Sequence, residues 1–272
     1  METILAGKSL QEALHKIIQE KASSATISYL VTTLEDDEPQ RIIAQKDMNV
    51  VHTGASMVKV LIMEYVFYLA RKGQLDLSDS VSLSRTPRVE GSGALQELSS
   101  KHGFTYLELC RLMMVLSDNW ATNLLLQTVG MEDVNARAEQ LGIEDFEINR
   151  FMMDVQAAEL GHENKITALG MTKLYAHLYN LRDESLYGSE MWSILGRQQF
   201  RDILPFHWGE DVVFHHKTGS LHEVEHDGGV LPTLRGDFCI VVLLSHLRND
   251  DAIQLGALMG KMIKQFIDEA LP

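Results

Sequence analysis

The feature that most constrains the fold is a long stretch of helical periodicity enclosed by strand-like sequence. From about residue 56 to 196, apolar residues recur mostly at helical spacing, with glycine and proline at the breaks. Strand-like runs precede this stretch at 25–34 and 41–44, separated by the turn-rich sequence EDDEPQ, which predicts a hairpin. A helical block therefore interrupts a β-structure.

Strand character returns after the helical block. Runs typical of strands occupy 212–216, 230–234 and 238–245, and a long helix is predicted at 250–271. An amphipathic helix is also predicted to begin near Ser9. The two ends of the chain are therefore expected to fold together.

These elements predict an α/β two-domain (α+β) fold. An antiparallel sheet of about five strands would be flanked by the terminal helices, with an all-helical domain inserted between the second and third strands. The predicted bounds are 1–53 together with 200–272 for the sheet domain, and 54–199 for the helical domain. A crevice between the two is the natural place for a site.

Composition excludes several classes of partner. The chain has 24 Lys and Arg against 38 Asp and Glu, a formal charge of −14, so nucleic acid is not expected. The longest apolar run, 58–70, is interrupted by Glu64 and is shorter than the roughly 18 residues that span a bilayer. With no leader-like N-terminus, a cytoplasmic location is predicted, although removal of a leader would leave the same sequence. Cys110 and Cys239 are expected to be free thiols.

Two catalytic signatures lie within one short segment. Lys217, Thr218 and Gly219 form a K-T-G triplet, and residues 222–226 match the zinc pattern H-E-x-x-H. The zinc pattern requires a helix, whereas this segment reads as a connection between strands, where the two histidines would be solvated turn residues. No metal and no cofactor are therefore expected.

A serine and a lysine at helical spacing carry the alternative chemistry. If a helix begins near Ser56, Lys59 lies one turn later on the same face, and the helix start supplies N–H groups for an oxyanion. An S-x-x-K pattern alone is expected about once by chance in a chain of this length. The competing interpretation is a capping serine with a surface lysine.

Two more triplets strengthen the catalytic interpretation. Ser117, Asp118 and Asn119 begin another helical run about 60 residues after Ser56, and K-T-G follows at the predicted end of a strand. Each triplet occurs once, in this order, which chance produces on the order of once in a thousand sequences. The three triplets are therefore treated as one constellation.

With these triplets the sequence resembles the penicillin-recognising serine hydrolases, and most closely the class A β-lactamases, from the first hairpin to the terminal helix. The resemblance implies that Ser56 is the acylated nucleophile and Lys59 its proton acceptor, with Ser117 passing a proton to the leaving nitrogen. A lysine acts as a base only when neutral, and burial together with the charge of Lys217 would lower the pKa of Lys59.

The resemblance also implies substrate contacts. Asn119 would hold the substrate's amide side chain, and Lys217 and Thr218 its carboxylate. The backbone N–H groups of Ser56 and Ser220 would form the oxyanion hole. Asp118 would be structural, and Gly219 would permit close approach of a substrate along the strand edge. The expected partner is a small β-lactam or peptide-like molecule with a carboxylate, and the oligomeric state is not predicted.

One departure from the family pattern leaves the function open. Met152 stands where class A enzymes carry the glutamate that activates the deacylating water, and a thioether cannot abstract a proton. The nearby carboxylates are candidates for that role, although solvation or salt bridges are their more usual use: Asp154, Glu159, Glu147 and Glu163. The predicted activity is hydrolysis of a β-lactam amide. The alternatives are a penicillin-binding D,D-peptidase, esterase or transpeptidase, or a β-lactam sensor that is acylated without turnover.

Overall fold

The computed structural model describes residues 2–34 and 41–270, so the predicted turn EDDEPQ lies outside the described residues. The helices within the described residues are α1 (Glu2–Ala22), α2 (Lys59–Arg71), α3 (Tyr106–Val115), α4 (Asn119–Val129), α5 (Met131–Gln140), α6 (Val155–Glu159), α7 (Ala168–Leu181), α8 (Leu186–Leu195) and α9 (Asn249–Ala270). The strands are β1 (Thr26–Leu34), β2 (Ile42–Lys46), β3 (His52–Thr53), β4 (Ser80–Ser82), β5 (Gly103–Thr105), β6 (Lys165–Ile166), β7 (His215–Leu221), β8 (Val224–Thr233) and β9 (Gly236–Ser245).

The predicted five-stranded antiparallel sheet is confirmed. Its strand order is β2-β1-β9-β8-β7, so the strands from the two ends of the chain meet where β1 pairs with β9. Pairing of β7 with β8 runs from His215 opposite Val230 to Leu221 opposite Val224. The edge strand β7 is therefore held in register along its whole length.

The extents of β7 and β8 differ from the prediction. The predicted strand at 212–216 begins at His215 and continues to Leu221, and the one at 230–234 begins at Val224. The K-T-G triplet consequently lies inside β7 and not at its end. The sequence pattern missed this because polar residues continue the backbone ladder without continuing the apolar alternation.

Hydrophobic clusters cover both faces of the sheet. Residues of β9 alternate between them: Val241 and Leu243 pack with α2, α3, α4, α5, α7 and α8, whereas Val242 and Leu244 pack with α1 and α9. This period of two is the geometry of a strand buried on both sides. The terminal helices flank the sheet as predicted, and the division into domains at 53/54 and 199/200 remains a prediction.

The helical block contains short strands that were not predicted. Strands β4 and β5 pair with each other, and β6 pairs with β3, which lies just before the block, so this part of the chain is not entirely helical. Two- and three-residue strands are too short to give a periodic signal. Helix α1 also begins earlier than Ser9, at Glu2, because good helix formers precede the serine. Helix α9 matches the predicted terminal helix to within one residue at each described end.

A buried ion pair accounts for the charge that interrupts the longest apolar run. Glu64 of α2 is 1% exposed and accepts hydrogen bonds from the Arg137 guanidinium at 2.7 and 3.0 Å, while His177 Nε2 lies 3.1 Å away. Burial raises the pKa of Glu64, but the hydrogen bonds from Arg137 and His177 outweigh it and leave the pKa below its ordinary value. No helix among the described residues is long and apolar enough to cross a bilayer.

The two cysteines are free, as predicted, and both are buried. Cys110 lies in α3 and Cys239 in β9. Burial raises the pKa of Cys239 to about 12, so its thiolate is scarce at neutral pH and the thiol is inert.

Candidate active site

Ser56 lies in a tight turn that leads directly into the buried helix α2. The turn is a 3-10 helix over Ala55–Val58, and Lys59 is the first residue of α2. Ala55 adopts a left-handed conformation with φ 43°, which for a residue with a side chain costs about 1–3 kcal/mol. The Gly54 N–H donates to the Asn164 carbonyl at 2.6 Å. The turn that contains Ser56 is therefore fixed before the serine by the hydrogen bond of Gly54 and after it by helix α2.

Strand β7 passes close to this turn. A Cβ atom on Gly219 would lie 3.1 Å from the Ser56 nitrogen, the Ala55 Cβ and the Met57 Cγ. Any other residue here would push the strand or the serine turn apart by a few tenths of an ångström, so glycine suits this close approach. Ser56 and Ser220 line the same cavity of about 280 Å³, so the structure brings together the two residues predicted to form the oxyanion hole.

Ser117 lies between two buried lysines. Its Oγ is 3.1 Å from Lys59 Nζ and 3.1 Å from Lys217 Nζ, and both lysines are 0% exposed. Lys59 Nζ also donates to the Ser117 carbonyl at 2.7 Å and to Asn119 Oδ1 at 2.9 Å. Ser117 itself is left-handed, with φ 56°. The interpretation of Lys59 as a surface lysine is therefore wrong, and the three distant triplets meet at one hydroxyl.

The electrostatics of this cluster favour neutral amines. Burial, and next the charge of Lys217, lower the pKa of Lys59 well below its ordinary value, against a smaller opposing effect of Asp118. Burial lowers the pKa of Lys217 to about 7, opposed by Asp227. The Ser117 hydroxyl has one proton, so it can donate to one amine while it accepts from the other. A neutral Lys59 that accepts and a Lys217 that donates satisfy both contacts.

Asp118 and Asn119 fasten the start of α4 to the preceding loop. Asp118 caps α4 by accepting from the Ala121 N–H at 2.9 Å, and its other oxygen accepts from the Ala94 and Leu95 N–H groups at 2.7 and 2.8 Å. Asn119 Nδ2 donates to the Glu90 carbonyl at 3.1 Å. This geometry agrees with a structural role for Asp118 and places Asn119 at the cavity wall.

Lys217 and Thr218 reach the site from within the strand. Thr218 is 8% exposed, and Lys217 Nζ donates to the Thr218 carbonyl at 2.8 Å as well as to Ser117. The residues that line the 280 Å³ cavity include Ser56, Asn119 and Ser220, but neither Lys217 nor Thr218. A carboxylate-binding role for the pair remains a prediction.

Several cavity residues other than Met152 were missed by the sequence interpretation. The remaining lining residues are Ala55, Gly91, Ser92, Arg150, Met152, Met153, Val155, Ala158, Asn164 and Leu221. In the sequence, Gly91 is one of the glycines at breaks in the helical periodicity. In the structure, a Cβ on Gly91 would lie 2.8 Å from Asn119 Nδ2, and its φ is +92°. Its closeness to another glycine, Gly93 at φ +116°, is the signal that could have marked a loop approaching the site.

Met152 is held firmly at the cavity wall. The side chain of Asn123 accepts from the Met152 N–H at 2.8 Å and donates to the Met152 carbonyl at 3.1 Å. Met152 is 8% exposed and lines the cavity beside Ser56. The position at which a deacylating glutamate was sought therefore faces the site but carries a thioether.

The candidate carboxylates for deacylation have other partners or none. Asp154 caps α6 through the Ala157 N–H, Glu147 pairs with Lys165 at 2.9 Å, and Glu163 pairs with Arg150 at 3.1 Å, while Glu159 is exposed. Within the described part of the chain, no carboxylate lines the cavity that contains Ser56.

The H-E-x-x-H segment forms a β-hairpin and not a helix. Glu223 occupies the turn between β7 and β8 with φ 55°, and His222 is exposed. His226 is buried in β8, where Nδ1 accepts from the Leu244 N–H and Nε2 donates to the Thr53 carbonyl at 3.0 Å. With both ring nitrogens engaged, His226 is a structural histidine. The predicted strand connection is confirmed, but His226 is buried within β8 and is not the solvated turn residue that was predicted.

This fold, with Ser56 at a cavity and a second serine held between two buried lysines, is that of the penicillin-recognising serine enzymes. A model of the beta-lactamase enzyme family matches residues 9–267, and the chain belongs to that family. No curated protein matches the sequence significantly.

Solved structures show the same fold over nearly the whole chain. A beta-lactamase from Sphaerobacter thermophilus DSM 20745 is 25% identical with a TM-score of 0.85, covering 96% of this chain and 97% of that one. A mutant of PBP-A, solved as an acyl-enzyme complex with penicillin G, is 20% identical with a TM-score of 0.84 and covers 96% and 97%. A representative of class A beta-lactamase from Bacteroides cellulosilyticus DSM 14838 is 18% identical with a TM-score of 0.84 and covers 97% and 98%.

Proposed function

We propose that the protein is a serine hydrolase of the β-lactamase type, which opens a β-lactam amide through an acyl-enzyme on Ser56. The observation that carries the proposal is the Ser117 hydroxyl, 3.1 Å from each of two fully buried lysine amines. Burying two amines side by side is costly, and it persists where their lowered pKa values serve proton transfer.

In the acylation step, Ser56, Lys59 and Ser117 act one after another. Ser56 Oγ attacks the carbonyl carbon while the neutral Lys59 amine accepts its proton, and the N–H groups of Ser56 and Ser220 stabilise the oxyanion. As the carbon–nitrogen bond breaks, Ser117 donates its proton to the leaving nitrogen and regains one from a neighbouring amine. Addition of water to the ester then releases the acid and restores the serine.

The substrate class follows from the charge of the cluster and from the relatives. A carboxylate near Lys217 would raise the pKa of this amine above 7 and so be bound as an ion pair. The PBP-A relative was captured with penicillin G as an acyl-enzyme, which supports a carboxylate-bearing lactam as substrate.

Mass spectrometry of the intact protein with benzylpenicillin tests the proposal. The wild type should gain the mass of one drug molecule, and Ser56→Ala should gain none. Ser193→Ala is a matched control, because Ser193 is exposed on α8 and does not line the cavity. The control should be acylated at the wild-type rate. Absence of both adduct and turnover in the wild type would end the proposal.

A second candidate function is acylation with little turnover, as in a penicillin-binding peptidase, esterase or sensor. The specific observation in its favour is that, among the described residues, the cavity wall beside Ser56 has a methionine and no carboxylate. A chromogenic cephalosporin separates the two functions. Continuous formation of coloured product supports the hydrolase. Release of one equivalent of product, followed by an acyl-enzyme that does not hydrolyse, supports the second candidate.

A further inference from the structure

The hydroxyl group of Ser220 is hydrogen-bonded to a buried carboxyl group. Ser220 is an exposed residue of the edge strand β7 at the cavity that contains Ser56, and Glu225 is its antiparallel partner in β8. Glu225 is 5% exposed and does not line the cavity. Ser220 Oγ donates a hydrogen bond to Glu225 Oε1 at 2.8 Å. A bound molecule can therefore contact Ser220, whereas Glu225 acts on that molecule through Ser220.

Asn249, the first residue of α9, fixes the carboxyl group of Glu225. The Asn249 Oδ1 accepts a hydrogen bond from the Glu223 N–H at 3.1 Å, which sets the orientation of the side-chain amide. Its Nδ2 group donates to the Leu221 carbonyl at 2.7 Å and to Glu225 Oε1 at 2.6 Å. The two N–H bonds of the amide are thus both used. Glu225 Oε1 consequently accepts two hydrogen bonds, one from Asn249 and one from Ser220.

The protonation state of Glu225 does not change this arrangement. Burial raises the pKa of Glu225, the hydrogen bonds from Asn249 and Ser220 lower it, and the charge of Asp202 raises it, with a net increase. A proton taken up by the carboxyl group would bind Oε2, because two donors already occupy the lone pairs of Oε1. Ser220 therefore donates to Oε1 whether Glu225 is charged or neutral.

This hydrogen bond determines what Ser220 can offer to a substrate. A hydroxyl group has a single proton, and Glu225 takes that of Ser220, so the Ser220 oxygen can only accept a hydrogen bond from the cavity. Rotation of the hydroxyl towards the substrate is opposed because it would take one hydrogen bond from a buried carboxyl oxygen. A carboxylate or carbonyl group that contacts Ser220 Oγ would meet lone pairs, whereas an N–H or O–H group would find an acceptor.

We propose that Ser220 and Glu225 form a specificity element that selects substrates with a hydrogen-bond donor, an N–H or O–H group, where the substrate contacts the Ser220 hydroxyl. Ser220 makes the contact, and Glu225 is a positioning residue that fixes the direction of the hydroxyl. This inference rests on the proposed function, since it names a substrate feature for the same site. The backbone N–H of Ser220 keeps its separate role in the oxyanion hole.

The donor is expected beside the carboxylate of the substrate. Alternate residues of a strand point to the same side, so the side chains of Thr218 and Ser220 share one face of β7, roughly 7 Å apart along the strand. With the carboxylate of a lactam bound at Lys217 and Thr218, the Ser220 hydroxyl lies beside a neighbouring substituent. In a cephalosporin this substituent is the group on carbon 3, because carbon 3 is bonded to the carbon that bears the carboxylate.

The test compares two cephalosporins with the same acyl side chain, one with a hydroxymethyl and the other with a methoxymethyl group on carbon 3. The two groups have similar electronic effects, but only the hydroxymethyl group can donate a hydrogen bond. The second-order rate constant for acylation of Ser56 is measured by mass spectrometry for the wild type, Glu225→Ala, Glu225→Gln and Ser220→Ala, and thermal unfolding verifies that each variant folds. Glu223→Ala is the matched control, because Glu223 is exposed in the turn of the same hairpin and does not line the cavity.

In the wild type and in Glu223→Ala, the hydroxymethyl compound should react roughly three- to tenfold faster than the methoxymethyl compound. Glu225→Gln should keep this preference, because an amide oxygen can still accept the Ser220 proton. Glu225→Ala should remove the preference because it frees that proton. Ser220→Ala should remove it because the acceptor is lost, and this variant gives the answer if Glu225→Ala does not fold.

Two results would overturn the specificity element and leave the proposed function intact. One is equal rates for the two compounds in the wild type, and the other is a preference that survives Glu225→Ala or Ser220→Ala in the folded protein. The absence of both adduct and turnover with either compound in the wild type would overturn the proposed function as well.

Discussion

Replacing Met152 by glutamate should accelerate hydrolysis of the acyl-enzyme on Ser56. Met152 lines the cavity beside Ser56, and Asn123 holds its backbone N–H and carbonyl at 2.8 and 3.1 Å. Because that clamp involves only main-chain atoms of Met152, a glutamate side chain of similar length would take the same direction. The substitution adds the proton acceptor that the cavity wall lacks.

The size of the effect follows from the burial of the site. A positioned general base contributes roughly 10²–10⁴-fold, so the acyl-enzyme should decay faster by a factor in that range. Met152 is only 8% exposed, and burial would raise the pKa of a carboxyl group here above its usual value of about 4.3. The gain should therefore be small at acidic pH and increase as the pH rises through the raised pKa. Burying the polar group should lower the free energy of unfolding by about 1–3 kcal/mol.

The assay follows the loss of the benzylpenicillin adduct by mass spectrometry after excess drug is removed, at several pH values. Met152→Gln is the control, since it has nearly the same shape and polarity but cannot take up a proton. The reasoning fails if the adducts of Met152→Glu and Met152→Gln decay at the same rate at every pH.

Three further outcomes are expected. Lys217→Ala should weaken reaction with carboxylate-bearing substrates by roughly 1–3 kcal/mol more than with their neutral esters, as measured by kcat/KM. In the wild type, the preference for the carboxylate over the ester should fall as the pH rises through about 7, because Lys217 then loses its proton. Burial, and for His52 also the charge of His226, hold the folded-state pKa values of His52 and His226 at about 3 and 4, below the ordinary value of 6.5. The contribution of each histidine to the free energy of unfolding is therefore complete above pH 6.5. It is lost on acidification from there towards pH 4, by up to about 1.4 kcal/mol per pH unit for each residue. In urea titrations, His226→Gln should flatten the dependence of the free energy of unfolding on pH. Glu64→Ala should lower the free energy of unfolding by about 3–5 kcal/mol because it leaves a buried guanidinium unpaired, whereas Glu132→Ala, at an exposed position on α5, should change it by less than about 0.5 kcal/mol in the same denaturation assay.

The sequence alone predicted the five-stranded sheet and the three triplets, because both leave a signal in neighbouring residues. The nearly continuous burial of β1 and β9, with the unbroken apolar run of β9, reflects burial on both faces, which is a local signal of a tertiary arrangement. Ser56, Ser117 and Lys217 each belong to a short local pattern, and although S-x-x-K alone is expected by chance, the three patterns together and in order are recognisable from the sequence. Pairing of β1 with β9 brings the two ends of the chain together, and Ser117 Oγ lies 3.1 Å from the amines of both Lys59 and Lys217.

Features that depend on contacts between distant loops left no such signal. The pairing that makes β7 a strand through Lys217 and Ser220 is a backbone ladder, and it does not require apolar side chains on the edge strand. The approach of Gly91 to Asn119 is set by the turn that Asp118 holds, which involves residues 94 and 95. Nothing in the spacing of Met153 indicates that it lines the cavity beside Ser56.

The distribution of strain explains which part of the site is free to change. Ala55 and Ser117 are both left-handed, at about 1–3 kcal/mol each, and both are fixed by packed neighbours: β7 lies against Ala55, and two buried amines hold Ser117. Met153 is also left-handed, with φ 62°, but its side chain is half exposed and faces open space on two sides. Substitutions at the first two residues would disturb the nucleophile and the proton relay together, whereas a substitution at Met153 would leave both in place. Substitutions that adapt the cavity to a different substrate should therefore be tolerated at residue 153, while the lysine cluster stays constant.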